Sequence, residues 1–441
     1  MEKLKLKDII SMGLGGTIGG GIFAALGLAV DISGNGAPIT FLLAGIIALI
    51  SGHSFVKIEA YLRKDGGTFT FLTDLVHSDF AAVYNGWILL IGYVGTMALY
   101  SYAFGAFAKI MLDPFVSLPR SILSAGIMLI FLGLNVRGVK ESGIVEDLLV
   151  AFKLLVLIAF AIIGLVIIIF TPNMSFFQTI PSHPSVLGAF IAIPVIFVSF
   201  EGFELLSYEY SEIDQPEKNF QKGVYTTIIS STLIYILIVI VVASVVTPAE
   251  ILKYDDTILA YASTRLIANS IINSIAYVLV GIAALFSTAS AINATLFGTA
   301  RLASTMAEEG DLPVIFSKKT PENIPYVSLI GITLVTVIFT FFGSLLQVTT
   351  FASVAFLTIF GVANFVAYSS KEIDINPFLP LFGLIAILIS IPVFVVYIWT
   401  VDPFTILYIF VNAIGLFFMA LVFLKFSRKV GTVDTTESTT A

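Results

Sequence analysis

The chain has no cysteine, only three histidines and few charges, and each scarcity removes a class of function. Without cysteine there can be no disulfides, thiolate metal ligands or cysteine nucleophiles. His53, His77 and His183 lie far apart and give no ligand spacing, so neither a metal nor another cofactor is expected. Charged residues make up 12% of the 441 positions, against roughly 25% in soluble domains. The net charge of −7 sits mostly in loops and argues against a nucleic-acid partner. No phosphate-cradling glycine–lysine loop is present, which speaks against ATP-driven transport. An enzyme would need a nucleophile–base pair or metal ligands, and no such motif is found.

What is abundant is apolar length. Hydrophobic residues reach 58%, the mean hydropathy is +1.03, and apolar runs of bilayer-crossing length recur along the chain. The opening "MEKLKLKD" is charged and amphipathic, and no cleavable signal peptide is expected. Runs and breakers predict an all-α membrane protein with twelve transmembrane helices. Their limits are 8–30, 38–62, 80–111, 119–137, 145–170, 186–209, 223–246, 272–306, 325–343, 347–369, 377–400 and 404–426. The segment after the seventh span, "PAEILKYDDTILAYASTRLIA", is too polar to cross and reads as interfacial helices. Residues 1–430 form one transmembrane domain, and the polar tail 431–441 is expected to be disordered. Seventeen lysines and arginines fall on the side of the termini, against Lys109, Arg120, Lys253 and Arg265 opposite. That asymmetry predicts a multi-pass cell-membrane protein with both termini cytoplasmic.

The first span contains "GLGGTIGGGIF", residues 13–23, with six glycines in eleven positions. Glycine costs a helix interior about 1 kcal/mol relative to alanine, and freed backbone groups need new partners in hydrocarbon. Close helix packing explains an isolated glycine pair, but not this density. The sixth span contains "FVSFEGFELLS", with Gly202 between Glu201 and Glu204. A charge at that depth costs about 2.5–3.5 kcal/mol on insertion scales. The two interrupted spans are five apart, so a second unit of five helices starts from the opposite face. That is the arithmetic of an inverted repeat with a central ligand site. Unwound amides can meet an anionic group and unwound carbonyls a cationic one, which suits the carboxylate and ammonium of an amino acid.

These residues resemble the amino acid–polyamine–organocation (APC) superfamily of permeases. Its first-helix pattern is matched by Gly16, Ile18, Gly19, Gly21, Ile22 and Phe23, and its sixth-helix pattern by Phe200, Gly202, Phe203 and Glu204. Glu212 and Pro216 match its E-x-x-x-P element, and Gly66 and Gly67 its loop after the second helix. Asn293, Ala294, Arg301, Ala307, Gly310, Leu312 and Pro313 match the signature of its eighth helix. The ordered set covers residues 8 to about 320; spans nine to twelve match in hydropathy only. Departures are Gln221-Lys222 in place of "PR", Gly20 widening the glycine run, and Lys57 in place of a common glutamate.

The resemblance implies a leucine-transporter-type fold with a 5+5 inverted repeat, 8–170 and 186–369, plus two peripheral helices in 377–426. It implies alternating access by a secondary active permease for amino acids or related amines, resembling proton-coupled members with a fifth-helix lysine. Gly15, Gly16, Thr17, Ile18 and Gly19 should then meet the substrate carboxylate, and the carbonyls near Phe197, Phe200 and Glu201, beside Gly202, its ammonium. Phe203 reads either as an outer aromatic lid or as ordinary packing. Lys153 is the one basic residue placed in mid-membrane. It either snorkels to the interface or carries the coupled proton by bonding first-helix carbonyls near Gly13 and Leu14, with Glu204 as a structural or coupling carboxylate. A sodium-coupled symporter would instead use Ser287, Thr288 and Ser290; an exchanger or a non-transporting sensor stays open. Glu201 is not required by the family: pointing into the site it would favour cationic substrates, and protonated or turned away it would leave small neutral ones.

Overall fold

Helices make up nearly all of the computed structural model, which describes residues 3–63, 72, 75, 79–138, 143–171, 186–267 and 269–430. The Gly66-Gly67 loop, His77, His183 and the tail 431–441 lie outside the described residues. Among the described residues there is no strand, only an isolated bridge between Leu4 and Ile213. The first span is split into α1 (Leu6–Thr17) and α2 (Gly20–Ser33). After it come α3 (Ala37–Leu62), α4 (Asp79–Leu112), α5 (Arg120–Val136) and α6 (Gly143–Phe170). The sixth span begins as α7 (Val186–Ile191) and α8 (Ile193–Ile196) and continues as a 3-10 segment, Phe197–Glu212. Then follow α9 (Pro216–Val245), α10 (Pro248–Tyr254), α11 (Ile258–Ser263) and α12 (Ser270–Glu308). The chain closes with α13 (Tyr326–Phe342), α14 (Leu345–Ser369), α15 (Phe378–Val401) and α16 (Pro403–Val430).

Local chemistry sets the ends of these helices. Thr247 with Glu250 and Ser344 with Gln347 form capping boxes at the starts of α10 and α14, satisfying otherwise orphaned amides. Pro216 opens α9, where its missing N–H costs nothing. Gly310, at φ +89°, ends α12 in a backbone conformation that only glycine takes without strain. Among the described residues, eight stretches are long and apolar enough to cross a bilayer, and one of them, Gly20–Leu62, holds both α2 and α3. Shorter apolar helices lie at Arg120–Val136, Tyr326–Phe342 and Pro403–Gly415. Large apolar side chains such as Leu155, Phe342, Trp399 and Phe404 point outward, as lipid-facing surfaces require. The chain is a multi-pass membrane protein.

Packing follows chain order at an offset of five spans. α1 lies along the 3-10 segment, α3 along α9, α4 along α12 and α5 along α13. At the terminal side Leu4 and the segment 212–214 exchange backbone bonds, Leu4 N–H to the Glu212 carbonyl and Asp214 N–H to the Leu4 carbonyl. The two interrupted spans are thus tied at one end.

On the opposite side α10, the turn Asp255–Thr257 and α11 form a cap over α2. The Asp255 backbone sits where any side chain on Gly27 would be. Burial, with the charges of Asp256 and Asp31 beside it, pushes the Asp255 carboxyl up to about 7. Folding therefore favours protonated Asp255, and its contribution to stability is complete below about pH 4. That contribution is lost as pH rises toward 7. Hydrogen exchange of residues 247–266, corrected for intrinsic rates, should show a looser cap at pH 8 than at pH 5, and Asp255→Asn should remove most of the difference. An identical pH response in the variant would refute the assignment.

Candidate functional site

The first span breaks at Ile18 and Gly19. Ile18 has φ −84° and ψ 61°, and Gly19 precedes α2 with φ −94° and ψ −147°. The break is narrower than the glycine run suggests, because helix continues through Thr17. The sixth span departs further from the interrupted helix expected around Gly202: it does not open into coil but tightens into 3-10 winding. Its one non-helical residue is Glu209, at φ −116° and ψ 15°. Long 3-10 runs are uncommon and mark hinges or strain. Here the tightening accompanies contact between backbones. A side chain on Gly202 would collide with the Thr17 amide nitrogen and the Gly16 carbonyl carbon.

Side chains from three other helices satisfy the carbonyls freed at the break. Lys153, on α6 and 1% exposed, donates from Nζ to the Gly15 carbonyl at 2.7 Å. That is one residue beyond the carbonyls anticipated from sequence, and it answers the snorkelling alternative: the side chain turns inward. Tyr235 on α9 directs its hydroxyl at the Thr17 carbonyl (2.7 Å) and the Ser199 carbonyl (3.0 Å), stapling the two broken spans together. Ser287 on α12 donates to the Ile18 carbonyl at 2.6 Å. Thr288 bonds back to Ala284 and Leu285 of its own helix, and Ser290 is buried. Of the three hydroxyls of the sodium alternative, Ser287 alone has a hydrogen bond to the break among those formed by described residues. The Tyr235 contacts carry a prediction. Tyr235→Phe keeps the ring against Phe41 and Phe200 but strips both carbonyls of a donor, and should destabilise the protein by about 1–3 kcal/mol. A thermal melt of the detergent-solubilised variant measures this, and an unchanged transition would sink it.

While the carbonyls are occupied, the amides at the start of α2 have no side-chain cap. The first amides of α2, uncapped by any side chain among the described residues, and the positive end of the helix dipole therefore face the break. Thr17 and Ser199 add hydroxyls that are fully buried and hydrogen-bonded to nothing among the described residues. Glu201 accepts from Thr96 at 2.7 Å and Tyr100 at 3.3 Å. Glu204 is buried on the same segment, with Ser207 bonded to its carbonyl. Phe197 packs on Phe200 and Phe360.

Phe203 is fully buried in ring contacts, the arrangement the packing alternative describes. Its ring lies between Phe55 and Phe360, on the side of Gly202 toward the termini, because the sixth span runs to the Leu4 contact. Tyr235, Tyr100 and Thr96 escaped the sequence reading. Thr96 and Tyr100 are four residues apart on α4, a polar pair at helical spacing in an apolar span.

On the terminal side, α6 grips α1 at every fourth residue. Lys7 and Ser11 bond to Asp147 at 2.9 and 2.6 Å, and Gly15 to Lys153. The eighth-helix signature residues also find partners: Asn293 accepts from Asn135 at 2.7 Å, and Arg301 lies 3.5 Å from Glu209 at the kink.

Comparison with known proteins accords with this geometry. Residues 4–419 match the amino acid permease family. The chain is 28% identical over 440 residues to protein MJ0609 of Methanocaldococcus jannaschii, covering 97% of each. It is 26% identical to the lysine-specific permease LysP of Lactococcus lactis subsp. cremoris, over 83% of this chain and 73% of that one. It is 24% identical to the branched-chain amino acid permease BcaP of Bacillus subtilis, over 73% and 70%. The chain belongs to the amino acid permease family of the APC superfamily, a family of membrane transporters and not of enzymes.

Proposed function

We propose that this permease moves an α-amino acid or related amine by proton-coupled symport, alternating access about the paired breaks. The reading takes twelve spans in two inverted repeats, with both termini cytoplasmic in the cell membrane. The five-span packing offset supports the repeats, and the lysine–arginine asymmetry supports the orientation. The substrate carboxylate meets the open amides at Gly19–Gly21, helped by the Thr17 hydroxyl. The ammonium meets carbonyls of the sixth span near Phe197 and Phe200.

One observation carries the coupling: Lys153 on the Gly15 carbonyl. A sodium ion would be held by such carbonyls together with hydroxyls, and an ammonium there supplies the same charge from the protein itself. Uptake of labelled amino acids into proteoliposomes under an inward proton gradient, with sodium replaced by choline, tests this. Concentrative uptake that collapses with a protonophore is the expected result. Uptake that needs sodium would overturn the proton reading, and exchange without net accumulation would make the protein an exchanger.

A further inference from the structure

Glu201 is 2% exposed. Its hydrogen bonds come from two hydroxyls, Thr96 at Oε2 and Tyr100 at Oε1. None of the ion pairs among the described residues includes it. A buried carboxylate is stable only with a proton or a cation. Two neutral donors occupy part of its capacity, and an ionised carboxylate offers about four acceptor sites.

Position decides what the cation could be. Tyr100 links Glu201 to the break, because a side chain on Gly20 would come within 2.6 Å of its ring and one on Gly19 within 3.1 Å of its hydroxyl. On the sixth span Glu201 adjoins Gly202, whose backbone touches Thr17. The unbonded Thr17 and Ser199 hydroxyls are sealed into the same place, with Ser199 against Gly21. Such buried, unsatisfied hydroxyls point independently to a polar ligand.

We propose that Glu201, held by Thr96 and Tyr100, receives a second ammonium group on the substrate, making this a permease selective for cationic amino acids. The inference rests on the substrate site proposed above and deepens it. Charge balance selects the class. A zwitterionic amino acid brings no net charge and leaves Glu201 to be neutralised by a proton, whereas a cationic one supplies the counter-charge itself. A bare diamine would satisfy Glu201 but leave the open amides of α2 without an anion. The ligand that completes both ends therefore carries a carboxylate, an α-ammonium and a side-chain cation.

The test is competitive binding to the purified full-length protein, with ornithine, lysine and arginine set against alanine, leucine and putrescine. Wild type should prefer the cationic amino acids by at least about tenfold, the size of one charge-assisted hydrogen bond. Glu201→Gln should lose about 10- to 100-fold for these relative to alanine, with an unchanged thermal transition. Glu201→Asp should restore part of the preference. Neutral amino acids preferred by wild type, with an unchanged ranking in Glu201→Gln, would overturn the inference and leave the permease reading standing. Putrescine as the tightest ligand would likewise overturn it, by removing the need for a carboxylate. Binding of none of the six would refute both the inference and the site on which it rests.

Discussion

Replacing Gly202 by alanine should abolish uptake although it adds one methyl group. That methyl falls on the backbone of Gly16 and Thr17, so no side-chain rotation can relieve the clash. The 3-10 segment would have to withdraw from the first-span break, and the shared Tyr235 hydroxyl cannot follow both carbonyls. Overpacking of this kind costs about 1–3 kcal/mol, which a protein of this size can survive as a folded species. Transport should suffer more than stability, because the ligand groups come from both sides of the separated contact. Gly298→Ala is the matched control. Its nearest neighbour would be Leu205 Cδ2 at 3.8 Å, ordinary contact, and alanine improves a helix interior by roughly 0.5–1 kcal/mol. Uptake by both variants in proteoliposomes, normalised to inserted protein, checks the pair. A Gly202→Ala protein that transports at the wild-type rate would show that close approach of the two backbones is dispensable.

Which parts of this site can be read from sequence depends on how each residue type behaves in a membrane. Six glycines in an apolar run make the first break legible to within a few residues, although close packing uses most of them too: Gly13 faces Thr227, Gly19 and Gly20 face Tyr100, and Gly21 faces Ser199. Its true width is not, because α1 keeps its hydrogen bonds through Thr17 and only tertiary packing sets where they stop. Gly202 between two carboxylates marks the sixth span as special. Whether it opens or tightens turns on i+3 against i+4 bonding, a small difference decided by contact with Gly16. Lys153 stands out because a buried base in lipid is costly, and its carbonyl partner is missed by one residue. Tyr235 and Tyr100 do not stand out. Tyrosine in a membrane helix ordinarily anchors at the interface or packs through its ring, and only coordinates reveal a hydroxyl aimed at a carbonyl or a carboxylate. Phe203 leaves both readings open in sequence for a related reason: an aromatic at a motif position does not declare which neighbours its ring meets.

Lys153→Ala should eliminate uphill, proton-driven uptake while leaving substrate binding within a few-fold of wild type. The argument begins with the bond from Nζ to the Gly15 carbonyl. An ammonium sealed from water loses its hydration, and that carbonyl replaces part of it. Whether Lys153 keeps its proton thus depends on whether α1 is within reach. By linkage, whether α1 stays in place depends on the proton. The rest of the α1–α6 contact lies nearer the termini, where Lys7 and Ser11 meet Asp147. Lys7 is well exposed there, so solvent screens that pair and leaves it a weak hold on α1. In the coupling proposed above, deprotonation of Lys153 would release the Gly15 carbonyl and let α1 swing from α6, opening the site toward the termini. On that proposal alanine would mimic the released state permanently: the site should still bind, but the conformational equilibrium should no longer sense protons. Counterflow exchange should survive in Lys153→Ala, while accumulation against a gradient disappears and the pH dependence of uptake flattens. Asp147→Asn provides the contrast, expected to change rates modestly and to retain proton-driven accumulation. If Lys153→Ala still concentrates substrate under a proton gradient, Lys153 is a structural strut, and the coupling ion must be sought beside Ser287, Thr288 and Ser290.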